Sequence, residues 1–475
     1  FRFSARDALS PWGVQDGKVS GGGNQNGQNN TTYHVNSHLS WLSGRHEIKF
    51  GGDFRRLRTF AFDAAGTNGL FNFENFQTAN LTALNNTGHS FASFLLGAPD
   101  RFEVNNLPVP EVQIRYGYHA GYFQDSFKAT SKLTLQLGFR YEVPIGWHMS
   151  NFNMSSFSPT TPNPGAANRA GAMIFMGPGP GRTGTKRPYN TDFSNVGPRF
   201  GFAYMLTSKT VLRGGYGIYY QTLGNGGCGC TLGFGGRPGV SQSDGRNPAF
   251  QWDAGVPRPS GGAPPFIDPT LGNFLDVDYV GPDFGRAPRV YNWSFNIQHE
   301  VKNMLIDIAY VGNRGRGLNS TLDANQVPSQ ALANGALMLQ SINAAAVQQA
   351  GFSAPFAGFG NRSLAQSLRP FPQFLNIQDR NSGDGQTWYD SLQTKLERRF
   401  GSLQMQASYT WSKSLSRLHY RQIFSQNFNV GAQDNYNLAV EKSYLPFDQP
   451  HVFNWLMTYE LPFGKGKRFL GSTNR

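Results

Sequence analysis

Ala129-Thr-Ser-Lys132, a stretch with turn chemistry, leads into Leu133-Thr-Leu-Gln-Leu-Gly-Phe-Arg-Tyr-Glu-Val143. Leu133, Leu135, Leu137, Phe139, Tyr141 and Val143 fall on one phase, and Thr134, Gln136, Gly138, Arg140 and Glu142 on the other. A period of two is that of an extended strand, whose successive side chains point to opposite faces. One face is greasy and aromatic, whereas the other carries charge. The segment before the turn, about 115–127, begins with Tyr116, Tyr118, Ala120 and Tyr122 on one face. Its phase then changes at Tyr122-Phe123, which predicts a bulge.

The same unit, two alternating segments joined by a tight turn, recurs five times. The first pair covers 31–42 and 46–60 around Ser43-Gly44-Arg45, with Tyr33, Val35, Leu39 and Trp41 opposite His34, Asn36, His38 and Ser40. The third covers 197–205 and 210–221, the fourth 289–301 and 304–312, and the fifth 387–399 and 402–412. An eleventh strand over 451–461 places Phe453, Trp455, Met457, Tyr459 and Leu461 together. Between pairs lie stretches of roughly 35 to 75 residues, rich in Gly, Pro, Asn and Ser. Inside a compact soluble domain such loops would count against the assignment. Short and long connections alternate without a lapse, however, which is the rhythm of an outer-membrane β-barrel with short periplasmic turns and long extracellular loops. The expected fold is therefore all-β, a transmembrane antiparallel barrel. Helices are expected in two of the loops, at 90–96 and over 329–350.

Composition agrees. Of 475 residues only 15% are charged, below the usual quarter, while Gly (57), Tyr (19) and Phe (39) are abundant. No run approaches the roughly 18–20 apolar residues of a membrane-crossing helix, and mean hydropathy is −0.44. A barrel reconciles the two, because only alternate strand residues face lipid. Trp41, Tyr141, Tyr204, Tyr220, Trp411 and Tyr459 are expected at the membrane interfaces, where aromatic girdles sit. Arg140, Glu142, Arg213, Asp307, Lys395 and Glu397 are expected to face the lumen.

Net charge is +13, from 42 basic and 29 acidic residues. The cations are scattered, which argues against nucleic acid as a partner. The densest clusters, Arg55-Arg56-Leu57-Arg58 and Lys465-Gly-Lys-Arg468, sit at strand ends, where they would meet solvent or the headgroups of lipid and lipopolysaccharide. The two cysteines, Cys228 and Cys230, cannot make a tetrahedral metal site by themselves, and a local disulfide and two free thiols both fit the spacing. His34 and His38 share a face but stand about 13 Å apart along a strand, too far to ligate one metal. His46-Glu47 and His299-Glu300 lack the second histidine of a zinc-protease motif. No catalytic residues, cofactor site or metal site are assigned, and an enzyme is not expected.

Three of the quoted runs carry a resemblance. Leu133–Glu142, Asn195-Val-Gly-Pro-Arg-Phe-Gly-Phe-Ala-Tyr204 and Val211-Leu-Arg-Gly-Gly-Tyr-Gly-Ile-Tyr-Tyr220 resemble the barrel of Oar-like TonB-dependent receptors. Ser90-Phe-Ala-Ser-Phe-Leu-Leu-Gly97, Ala309-Tyr-Val-Gly-Asn-Arg314 and Tyr409-Thr-Trp-Ser-Lys413 do so as well. The resemblance implies a barrel of about 22 strands, of which residues 1–475 would be about half, as a single region incomplete at both ends. It further implies a plug, a contact with the TonB complex and a signal peptide upstream of this stretch. The implied role is uptake of a bulky extracellular nutrient across the outer membrane. A structural or adhesive barrel without transport fits the strand pattern equally, and a soluble β-rich carbohydrate-binding protein is a more distant reading.

Overall fold

The computed structural model describes residues 26–63, 70–73, 76–80, 87–103, 111–221, 230–235, 239–241, 247–256, 264–320, 322–380, 382–417 and 432–471. The expectations for both chain ends and for Cys228 lie outside these residues.

Eleven long strands form one antiparallel meander: β1 (Asn26–Ser43), β2 (His46–Asp63), β3 (Glu111–Lys128), β4 (Leu133–Met149), β5 (Asn195–Thr207), β6 (Thr210–Tyr220), β7 (Arg289–Val301), β8 (Met304–Leu318), β9 (Gly385–Phe400), β10 (Leu403–Arg417) and β11 (His451–Tyr459). Each pairs with the next in sequence, and the two-residue strand Ser443–Tyr444 also pairs with β10. The sheet is open: among the described residues β1 has β2 as its one neighbour, and β11 has β10. Tight turns join the strands of each hairpin at one rim. Gly44 turns the first with φ +57°, and Lys302 and Asn303 (φ +47° and +62°) turn the fourth, the positive-φ pair whose twist suits a two-residue hairpin.

Polarity across this sheet is inverted relative to a soluble protein. Val35 is 67% exposed, Trp41 58%, Phe54 52% and Trp455 61%. On the opposite face Tyr118, Glu142 and Ser391 are 6%, 6% and 4% exposed. Water does not select that arrangement, whereas hydrocarbon on the apolar side does. Most strands are also longer than the 9–11 residues that span a bilayer, so they rise past the membrane on the long-loop side.

The deepest packing lies in the long connections rather than in the sheet. Phe73, Phe175, Phe359, Phe374, Met154, Met176 and Ile342 are all nearly fully buried, and none belongs to the eleven strands. One cluster joins Phe157, Met173, Phe175, Phe234, Val277, Phe374 and Ile377, with the Phe157 and Phe374 rings 5.3 Å apart at an edge-to-face angle. Hydrogen bonds tie the connections to each other: Asn325 Nδ2 donates to the Phe371, Phe374 and Leu375 carbonyls, and the Val280 amide donates to Ser156 Oγ at 3.0 Å.

Two local expectations are corrected. No bulge occurs at Tyr122-Phe123, since the β3–β4 register runs unbroken from Gly117 to Lys128 and shifts instead between Arg115 and Gly117. The tyrosines at 116, 118 and 122 simply occupy the polar face. The single helix expected over 329–350 is a 3-10 stretch Ser329–Leu339, interrupted by Gly335 (φ 51°, ψ −129°), followed by a short α-helix Ala345–Gln349. Glycine adopts that non-helical conformation at little steric cost, so the helix breaks there. The other expected helix is present as Ser90–Leu95, capped by His89, whose ring accepts from the Phe91 amide.

Candidate functional site

Residues directly opposed in a sheet share a face, so the register places every side chain. His34 opposes Arg55, Arg55 opposes Tyr118, and Ala120 and Tyr122 oppose Glu142 and Arg140. Ala203 opposes Arg213, and Arg213 opposes Asn296. Asp307 opposes Lys395, which leads on to Ser408 and Asn454. All six residues expected to be inward, Arg140, Glu142, Arg213, Asp307, Lys395 and Glu397, therefore stand on this one polar face.

They form three groups there. Arg140 bridges strands: its Nη2 lies 3.2 Å from Asp53 Oδ2, and its Nε lies 3.1 Å from Glu142 Oε1. The same Nη2 donates to the Tyr118 hydroxyl at 3.1 Å, and that hydroxyl donates to Glu142 Oε2 at 2.7 Å. Arg55 grips Asp53 with both Nε (2.9 Å) and Nη2 (2.7 Å), and His34 Nε2 lies 3.0 Å from Asp53 Oδ1. Two carboxylates thus meet two guanidinium groups. Asp53, Arg55 and Tyr118 are not among the residues that the sequence assigns to the site, and His34 is read from it only as a lone polar side chain facing the lumen. A signal for part of the set existed: the turn pairs Ser43 with His46, and counting back places His34 across from Arg55. In the second group, Asp307 accepts from Asn296 Nδ2, and Lys395 pairs with Glu397.

Arg213 lies between these groups, in a trough of about 860 Å³. Gly138, Gly201, Gly215 and Gly217 leave its floor bare, Gln136 and Ser294 line it, and the Arg199 guanidinium stacks on Tyr219 at 4.6 Å. At Gly138 the space is required by the backbone, because a Cβ there would stand 2.8 Å from the Phe123 carbonyl oxygen.

The six aromatics expected at the membrane interfaces share the opposite, apolar face. Trp41 opposes Ile48 and Tyr459 opposes Leu403 close to the turns, with Tyr204 beside Leu212 at the same rim. Tyr141, Tyr220 and Trp411 stand toward the other rim, where Tyr141 donates to the Phe193 carbonyl at 2.9 Å and Tyr220 to that of Val196 at 3.3 Å. Trp411 is eight residues beyond Leu403, roughly 26 Å along the strand, which after a barrel-type tilt approaches the height of an apolar membrane band.

In the loops, burial pushes the Tyr189 phenol well above its usual range, against the pull of the Arg187 charge. Its hydroxyl donates to the Trp147 carbonyl at 2.7 Å. Cys230 is buried in the same cluster and is disulfide-bonded. Among the described residues no group of three or more His, Cys, Asp or Glu is placed to hold a metal ion, and no helix is long and apolar enough to cross a membrane.

The model of the family described as outer membrane beta barrel domain matches residues 5–475. Among solved structures the chain is similar to the outer membrane transporter YddB from Escherichia coli, with 12% identity, 82% of this chain and 34% of that chain covered, and a TM-score of 0.41. It is also similar to the alcaligin outer membrane receptor FauA from Bordetella pertussis (10% identity, 92% and 44% covered, TM-score 0.35). A third is the ferric yersiniabactin uptake receptor FyuA from Yersinia pestis (7% identity, 92% and 40% covered, TM-score 0.36). The chain spans less than half the length of each of these. Comparison with curated protein sequences gives no match.

Proposed function

We propose, from the premise that this chain belongs to the outer membrane beta barrel domain family and resides in the outer membrane, that it is the barrel wall of a TonB-dependent receptor and transporter for a bulky nutrient. In this reading its eleven strands supply about half of a wall of about 22, and strands beyond them close the sheet, since hydrocarbon does not tolerate an open edge. The observation that supports it best is the polar face. It presents a hydrogen-bonding row from His34 to Asn454 around a bare, arginine-bearing trough. The folded long connections would catch ligand, and a plug moved through the TonB complex would admit it to the lumen. Arg213 and Arg199 would meet the passing ligand, while the Arg140, Glu142 and Asp53 group would hold the wall or dock the plug.

A strain lacking the gene tests this against its parent on limiting ferric chelates, cobalamin and oligosaccharides, each supplied singly. A growth defect confined to one nutrient, restored by the gene but not when TonB is inactive, supports transport. Unchanged growth on every nutrient, with the protein present in the outer-membrane fraction, would leave a structural or adhesive role instead.

A further inference from the structure

We propose that the trough takes an acidic oligosaccharide, a chain of sugar rings with a carboxylate repeated along it. The inference rests on the reading of the trough as the ligand's route and names the class of that ligand. The register sets the trough out in three rows. Arg213 stands between Ala203 and Asn296. In the next row Gly201 and Gly215 oppose each other, flanked by Gln136 and Ser294. Arg199 occupies the third row, between Gly138 and Gly217. The two arginines sit on neighbouring strands, offset by the four residues from 199 to 203, so their backbones are roughly 14 Å apart. The glycine pair lies between them.

The polar groups of these rows are unused, unlike those on either side. Lys49, Arg55, Arg140 and Lys395 of the same face each pair with a carboxylate. Arg199 and Arg213 make no ion pair among the described residues. Nor, among those residues, do the side chains of Gln124, Gln136 and Ser294 have a hydrogen-bond partner. Asn296 Oδ1 is buried without one, although leaving such an acceptor unmet costs free energy. It stands directly across from Arg213. An arginine facing an unmet acceptor calls for a carboxylate and a hydroxyl hydrogen close together, as one sugar acid ring presents them. A carboxylate repeated along the chain then meets Arg213 and Arg199 in turn, a span that a single small hydroxy acid does not cover. An acidic peptide fits less well. Every strand under the trough is paired on both sides, so no edge is open to a peptide backbone, and the glycine floor has no pocket for apolar side chains.

The test uses the full-length protein purified in detergent and an array of uronic-acid oligomers, each beside its carboxyl-reduced, neutral twin. Oligo-glutamate and ferric citrate serve as competitors. At least one acidic oligomer is expected to be retained about tenfold better than its twin, with the advantage shrinking as salt rises. Arg213→Gln is expected to lower that retention about tenfold, and Arg213→Lys to recover part of it, since lysine keeps the charge but not the two-pronged contact. Arg199→Gln is expected to lower it about fivefold, which keeps the site testable if the Arg213 variants misfold. Lys395→Gln, outside the trough, should leave it unchanged. Equal retention of every acidic oligomer and its neutral twin would overturn the proposal. So would equal retention by wild type and the Arg213→Gln or Arg199→Gln variant, or tighter binding of oligo-glutamate or ferric citrate than of any uronate. Binding in detergent needs neither TonB nor uptake. Unchanged growth of the deletion strain would therefore count against transport alone, and a failed array with nutrient uptake intact would discard the sugar class alone.

Discussion

Arg140 joins Asp53, Tyr118 and Glu142 on the polar face, and its removal exposes what the group contributes. Its side chain is 18% exposed, that of Glu142 8% and that of Asp53 12%. Leaving a buried carboxylate unpaired costs about 3–5 kcal/mol, but Arg55 still answers Asp53, and Tyr118 still donates to Glu142. Arg140→Gln should therefore destabilise the barrel by about 2 kcal/mol in urea titrations, with much of that loss recovered in the Arg140→Gln/Glu142→Gln double variant. Tyr189 makes a separate prediction. Its folded-state phenol is raised above the ordinary value of 10.0 by burial, so its contribution is complete below about pH 10 and is lost as pH rises beyond that. Tyrosinate absorbance should reveal a late-titrating phenol, and the loop cluster should open together with it. Tyr189→Phe should remove that alkaline transition; its persistence would place the cause elsewhere.

At the scale of strands and loops, the trough is the element whose role is most exposed to test. A Cβ at Gly215 meets only the Phe200 carbonyl oxygen, at 3.5 Å, so a side chain can enter the trough without displacing the backbone. On the transport reading proposed above, Gly215→Trp should leave the amount of protein in the outer membrane unchanged while cutting uptake of the nutrient at least tenfold. Unchanged uptake would remove the trough from the route. The strands were legible because a period of two is local: β7, Arg289–Val301, follows from its own thirteen residues. The loop interior was not, because Phe157 meets Phe374 across more than two hundred residues and no local period announces such a contact. The same limit hid Asp53. Its bond to Arg140 spans 87 positions and depends on the β2–β3 register, which a long connection leaves unspecified, whereas a two-residue turn fixes the β1–β2 register outright.

For the whole molecule, the account depends on what touches each side of the meander. Apolar side chains are exposed and polar ones covered, so the apolar side must face lipid, and the polar side an enclosed aqueous space. The most direct test places spin labels singly at positions 135–142 of the full-length protein in vesicles. Accessibility is then compared for oxygen, which concentrates in hydrocarbon, and for a water-soluble nickel chelate. Labels at Leu135, Leu137, Phe139 and Tyr141 should be the oxygen-accessible ones, and labels at Gln136, Gly138, Arg140 and Glu142 should not, giving a period of two. Equal oxygen accessibility at all eight positions, or the opposite phase, would contradict the membrane assignment of these faces.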